Sequence, residues 1–215
     1  MKIKGDIKVT IHEKVKLWEK KEGINLFHDL GLSNNANFLD YGCGFGHYTF
    51  AASRFLGSSQ GNVFAVDINK DCLKYVSKVA QDEGLSNIIV AAGNKDYSLN
   101  FSDNSFDMIM YYDVLHGNGF HRFTLFEEAK RTLKSGGIMS ILPFHLSNFR
   151  DREGKKKVYT YNKLIEEAKE YGFININEMP SGIHFEKYHS SYYIDKGGVE
   201  FEDLERAEIL NLRKM

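Results

Sequence analysis

Three glycines at alternating positions, Gly42, Gly44 and Gly46, follow the apolar pair Phe38-Leu39, with Asp40 and Tyr41 between. A glycine-rich turn between a strand and a helix lets the backbone approach a ligand closely and aims the amides of the helix N-terminus at it. That is the chemistry of holding a cofactor, and the spacing narrows which one. A dinucleotide loop of the form G-x-G-x-x-G would need its third glycine at position 47, which is His47. A carboxylate at Asp40 would repel a doubly negative pyrophosphate, and it favours a ligand bearing positive charge.

A second acid, Asp67, ends the run Val63-Phe64-Ala65-Val66, 21 residues beyond Gly46. A carboxylate there can accept both hydrogen bonds of a ribose diol. Capping of a helix that starts near Lys70 is the competing role, because Asp is common before helices. Taken together, the two acids fit S-adenosylmethionine, whose ammonium and sulfonium are cationic, better than NAD.

Acceptor-side chemistry belongs at the carboxyl ends of the later strands. Tyr112, Asp113, Leu115 and His116 follow one of them, and Pro143, Phe144 and His145 another. Asp113 and His116 are the candidate catalytic pair, as base or orienting group, since imidazole titrates near neutrality and a carboxylate can take a proton or polarise an alcohol. Filling the turn explains His116 equally well, and Asp113 could instead face an ammonium group. The segment Ile183–Tyr193 carries His184, Glu186 and His189, which do not define a complete ligand set, so it reads as a loop or lid and no metal is expected. Cys43 lies inside the glycine loop and Cys72 on a helix, which leaves no thiol nucleophile in view.

These residues need a scaffold, and the periodicity supplies one. Val9 to Leu30 has Ile11, Val15, Trp18, Ile24, Phe27 and Leu30 among charges, which predicts an amphipathic helix broken at Gly23. Thereafter short apolar runs alternate with helical patterns: strand 37–41, helix 46–56, strand 62–67, helix 70–83, strand 87–92, strand 106–112, helix 122–134, strand 137–143, helix 160–171 and strand 173–178. Gly84, Gly136-Gly137 and Gly172 are read as helix stops. The alternation predicts a doubly wound α/β fold, a mostly parallel seven-stranded sheet with an N-terminal helical extension. Ile209 to Leu212 is expected to add a final strand. The expected organisation is a single domain, with a helical cap over 1–34, a cofactor-binding core over 35–178 and a lid-like insertion with a terminal element over 179–215.

Composition fits this frame. In 215 residues, 42% are hydrophobic and 27% charged, and no apolar run approaches the ~20 residues that span a bilayer. A net charge of -1, from 28 basic and 29 acidic residues, gives no bulk attraction for a phosphate backbone. The expectation is a cytoplasmic protein acting on a small molecule, with neither nucleic acid nor membrane as partner. Lys155-Lys156-Lys157 reads as a solvated loop.

From Asn37 to Phe173 the chain resembles the class I S-adenosylmethionine-dependent methyltransferases. The matching pieces are Leu39-Asp40-Tyr41-Gly42-Cys43-Gly44-Phe45-Gly46, Val66-Asp67-Ile68, Ala92-Gly93-Asn94, Ser105-Phe106-Asp107-Met108-Ile109 and Ala129 to Gly137. The last is similar to a segment of the branch that methylates small molecules, with Ser135 in place of proline. The resemblance implies a Rossmann-like methyltransferase fold and a donor site of Asp40, Tyr41, Gly42, Gly44, Gly46, Asp67, Ile68, Asn94 and Tyr112. Asp67 would hold the ribose and Ile68 would pack on adenine. Asn94 stands where the family usually has an acid for the adenine amino group, and Asp96 is a substitute two residues on. The implied activity is methyl transfer to an O, N or C acceptor, leaving S-adenosylhomocysteine. The alternative is a methyltransferase-like module that binds the cofactor and acts through a protein partner.

Overall fold

The computed structural model describes residues 13, 15–57, 61–115, 121–143, 146, 149–176 and 209–215. His116, Phe144, His145 and the segment 179–205 with its two histidines lie outside the described residues.

Residues 15–20 form helix α1, followed by α2 (Glu22–Asp29), β1 (Asn37–Tyr41), α3 (His47–Leu56), β2 (Asn62–Asp67), α4 (Lys70–Asp82) and β3 (Ile88–Ala92). After them come β4 (Phe106–Tyr112), α5 (His121–Thr132), β5 (Leu133–Leu142), α6 (Tyr161–Glu170), β6 (Phe173–Asn175) and β7 (Leu210–Lys214). The strands form one seven-stranded sheet in the order β3-β2-β1-β4-β5-β7-β6. Strands β1 to β5 run parallel, and β7 enters antiparallel between β5 and β6. This is the doubly wound Rossmann-like methyltransferase fold. The order reverses at β1, which pairs with β2 on one side and β4 on the other. Connections leave β1 and β4 to opposite faces there, so their carboxyl ends flank a crevice.

Burial on both faces explains why the central strands are apolar almost throughout. Along β4, Met108, Met110 and Tyr112 join Phe38, Ala51 and Trp18 on one face, while Ile109 and Tyr111 join Leu39, Leu125 and Phe126 on the other. The N-terminal helices belong to the first of these clusters through Val15, Trp18 and Phe27.

Two helix boundaries differ from the sequence expectation. The N-terminal helix breaks at Lys21, not at Gly23, which lies within α2. The glycine is needed for close packing: a Cβ there would stand 2.7 Å from Trp18 Cζ3 and 2.9 Å from Ala51 Cβ. Likewise, Gly136-Gly137 do not end a helix. Helix α5 stops at Thr132, and Leu133 already pairs with Phe106. Residues 134–137 bulge before Ile138 pairs with Met108, and Lys134 turns its ammonium onto both carboxylate oxygens of Asp107 at 2.8 Å.

Candidate functional site

The glycine loop leaves β1 at the crevice and is tied to the end of β2. The amides of Gly42 and Cys43 both donate to the Val66 carbonyl, at 2.7 and 3.0 Å. The Gly44 amide donates to Asp67 Oδ2 at 2.8 Å. Gly42 and Gly44 have φ of 78° and 50°, the left-handed region that glycine enters without penalty. Among the described residues, chain neighbours aside, no atom lies within 4 Å of the position a Cβ would take on Gly44. The loop therefore presents bare backbone to open space, as close approach of a ligand requires.

Asp67 does not cap α4. Asn69 does, accepting from the Asp71 amide at 3.0 Å. The Asp67 carboxylate instead gathers two amides, Gly44 on Oδ2 and Asn69 on Oδ1 at 2.7 Å. Each carboxylate oxygen keeps a further lone pair for a hydroxyl. The next residue, Ile68, is 63% exposed, an apolar surface beside the loop.

After β3, Asn94 and Asp96 both turn to Ser98. Asn94 Nδ2 donates to the Ser98 carbonyl and hydroxyl oxygens, at 3.1 and 3.0 Å. Asp96 Oδ1 accepts from the Ser98 amide and hydroxyl at 3.1 and 2.7 Å, which holds its carboxyl below the usual range. With its amide nitrogen committed, Asn94 has its carbonyl oxygen to offer a donor.

Asp40 is 4% exposed and accepts the Thr49 hydroxyl of α3 at 2.6 Å. Burial pushes its pKa up to about 7, the nearby charge of Asp67 adds to this, and the Thr49 hydrogen bond opposes it. Tyr41, on the other face, packs edge-on against Tyr111 with centroids 5.6 Å apart. Its hydroxyl is buried without a hydrogen-bond partner among the described residues, in the electrostatic reach of Asp67, Asp96 and Tyr97. A buried unpaired hydroxyl costs free energy that a ligand acceptor would recover.

On the acceptor side, the Tyr112 hydroxyl pairs with Ser140 Oγ at 3.1 Å. An edge-on aromatic series runs from Tyr112 through Tyr48 (4.9 Å) to Trp18 of α1 (5.4 Å). The helical extension thus reaches the ends of β4 and β5. Asp113 follows Tyr112 with φ of 57° and donates its amide to the Leu142 carbonyl at 3.1 Å.

Sequence reasoning missed two partners. Thr49 reaches Asp40 across nine residues, and the signal was available, since position 49 lies in the first turn of the helix over β1. The second is a buried carboxylate on the N-terminal helix: Glu19 Oε1 contacts His47 Nδ1 at 2.5 Å and Oε2 lies 3.6 Å from Arg54 Nη1. Nothing local in the sequence indicates that pair, because it depends on how α1 crosses α3.

Residues 32–194 match a family profile described as "Methyltransferase domain". The chain is 26% identical over 129 residues to a sterol 24-C-methyltransferase of Gibberella zeae, covering 60% of this chain and 33% of that protein. It is 29% identical over 130 residues to a demethylmenaquinone methyltransferase of Staphylococcus aureus, covering 60% and 50%. The matches thus span a third to a half of the length of these relatives. Among solved structures, a SAM dependent methyltransferase from Aquifex aeolicus superposes with TM-score 0.65 at 18% identity, over 94% of this chain and 98% of that one. The [4+2]-cyclase SpnF superposes at 0.63 with 16% identity, over 90% and 80%.

Proposed function

The chain belongs to the class I S-adenosylmethionine-dependent methyltransferases, and from that premise we propose that it transfers a methyl group from S-adenosylmethionine to a small-molecule acceptor at oxygen, nitrogen or carbon. The observation that carries the donor assignment is the Gly44 amide on the Asp67 carboxylate beside open space.

The residues present fit this donor. Asp67 would take the ribose diol, Ile68 one face of adenine, and the Asn94 carbonyl oxygen the adenine amino group. The loop from Gly42 to Gly46, open at Gly44, would lie along the methionine part, and the buried Asp40 carboxylate would supply negative charge near it. An anionic pyrophosphate would meet the Asp40 carboxylate here, which disfavours NAD, whereas Asp67 alone would suit the ribose of either cofactor.

When bound, the sulfonium supplies an activated methyl group for in-line displacement. The protein's part is to align the acceptor and exclude water, a contribution of up to ~7 to 11 kcal/mol from positioning. Tyr112, with the aromatic series behind it, would form the wall on which the acceptor rests. Asp113, at the same edge, would orient the acceptor or draw off a proton. The names of the two curated relatives, which act on a sterol and on demethylmenaquinone, support a small and lipophilic acceptor.

The test pairs binding with turnover. Calorimetric titration should give a site for S-adenosylmethionine and S-adenosylhomocysteine and none for NAD; the reverse result sinks the proposal. Methyl-labelled donor should then be incubated with demethylmenaquinone, sterols, phenols and amines, and the products read by mass spectrometry. Donor binding without label transfer to any acceptor class would favour the module that works through a protein partner.

A further inference from the structure

The glycine loop has two flanks, and they are held differently. Toward β2 it is hydrogen-bonded, through Val66 and Asp67. Toward β4 it meets an apolar side chain: a Cβ on Gly42 would lie 2.3 Å from Val114 Cγ1, far inside the ~3.5 to 4.0 Å at which carbons attract. Val114 is half-buried and packs on the core cluster that contains Tyr41 and Tyr111. Its direction is set by Asp113. The Asp113 amide still follows the β4–β5 ladder by donating to Leu142, but its backbone is left-handed, and the next residue, Val114, lies against Gly42 just past the end of β1. For Gly44, also left-handed, an added Cβ would meet no atom within 4 Å among the described residues, chain neighbours aside. Within one loop, then, one glycine is covered by protein and another is left open.

We infer that Val114 is a positioning residue for the donor site: seated on Gly42, it fixes the loop so that the open backbone at Gly44 stays registered on Asp67. Beyond its left-handed backbone, glycine is required at 42 by Val114 rather than by the ligand. This inference rests on the donor-site reading above.

The two glycines then respond differently to the same substitution. Gly42→Ala suffers both a left-handed alanine and the collision with Val114. Gly44→Ala suffers the backbone cost alone, together with whatever the ligand loses. Removing the Val114 γ carbons makes room for a Cβ on residue 42 and does nothing for one on residue 44.

The experiment is calorimetric titration with S-adenosylhomocysteine, each protein first checked for a cooperative thermal transition. Val114→Ala should bind several-fold more weakly than the natural chain, and Val114→Ile, which keeps both γ carbons, should bind as the natural chain does. Gly42→Ala/Val114→Ala should bind roughly tenfold better than Gly42→Ala alone, as coupled neighbours do, while Gly44→Ala and Val114→Ala should combine additively. Additivity in the 42/114 pair overturns the inference. Should Gly42→Ala fail to fold, recovery of folding in the double variant supports it, and natural-chain affinity in Val114→Ala overturns it. Failure of the natural chain to bind S-adenosylhomocysteine would instead overturn the donor-site reading.

Discussion

The backbone amide of Gly44 donates to the Asp67 carboxylate at 2.8 Å, so the acid at the end of β2 holds the glycine loop before it holds any ligand. Its removal should therefore act twice, on the loop and on the ribose. Hydrogen bonds to charged groups contribute about 1.5 to 3 kcal/mol each. Asp67→Ala is expected to weaken S-adenosylhomocysteine binding by roughly 100-fold, and Asp67→Asn, which keeps one acceptor oxygen, by less. Calorimetry measures both, and unchanged affinity in the alanine variant would reject the assigned loop.

Asp40 makes donor binding depend on pH. Its pKa of about 7 in the folded chain, raised chiefly by burial, means that below neutrality the carboxyl is protonated. A cationic ligand prefers the carboxylate, so binding there must expel a proton. Affinity should rise with pH up to about 7 and then level off, with proton release detectable in buffers of different ionisation enthalpy. The effect on folding has the opposite sign: because the folded value lies above the ordinary 3.8, this group's contribution to stability is greatest at low pH and falls as pH rises towards about 7. Asp40→Asn should flatten both profiles. A flat binding profile in the natural chain would remove Asp40 from the donor site.

Restoring the family's usual acid at position 94 should harm binding. Asn94 Nδ2 donates to the Ser98 carbonyl at 3.1 Å, and an aspartate oxygen there would face an acceptor with an acceptor. The loop after β3 would have to rearrange. Asn94→Asp is expected to bind S-adenosylhomocysteine several-fold more weakly, and Asn94→Asp/Ser98→Gly no better, because the Ser98 carbonyl belongs to the backbone. Tighter binding in Asn94→Asp would mean that the adenine selects the residue and Ser98 does not.

Much of this was legible in the sequence because it is written in short spacings. The central strands follow from apolar runs buried on both faces, and the acid at 67 follows from where β2 must end. Other features depend on distant contacts. The place of Gly23 inside α2 is explained by Trp18 and Ala51 packed on it, and the bulge at 134–137 by the pairing of Leu133 with Phe106. Gly42 reads as a ligand-contacting glycine in sequence. Only the course of the chain after β4 reveals that Val114 covers it.

Asp113 allows its backbone and its charge to be separated. It is one of three described non-glycine residues with positive φ, at 57°, and it sits where the chain turns from β4 towards the glycine loop. Aspartate and asparagine tolerate the left-handed region better than alanine, and glycine tolerates it best. If the turn is what matters, donor affinity should fall in Asp113→Ala, by roughly tenfold on the ~1 to 2 kcal/mol cost of a left-handed alanine, and survive in Asp113→Asn and Asp113→Gly. If the carboxylate serves the acceptor, Asp113→Asn should keep donor affinity yet lose methyl transfer, and Asp113→Gly should do the same. Measuring S-adenosylhomocysteine binding alongside label transfer in all three variants distinguishes the roles. Both can hold at once, with the alanine variant failing in both assays and the asparagine and glycine variants only in transfer. Full transfer by Asp113→Asn would leave the turn as the residue's contribution and move the search for a base to other side chains at the same edge.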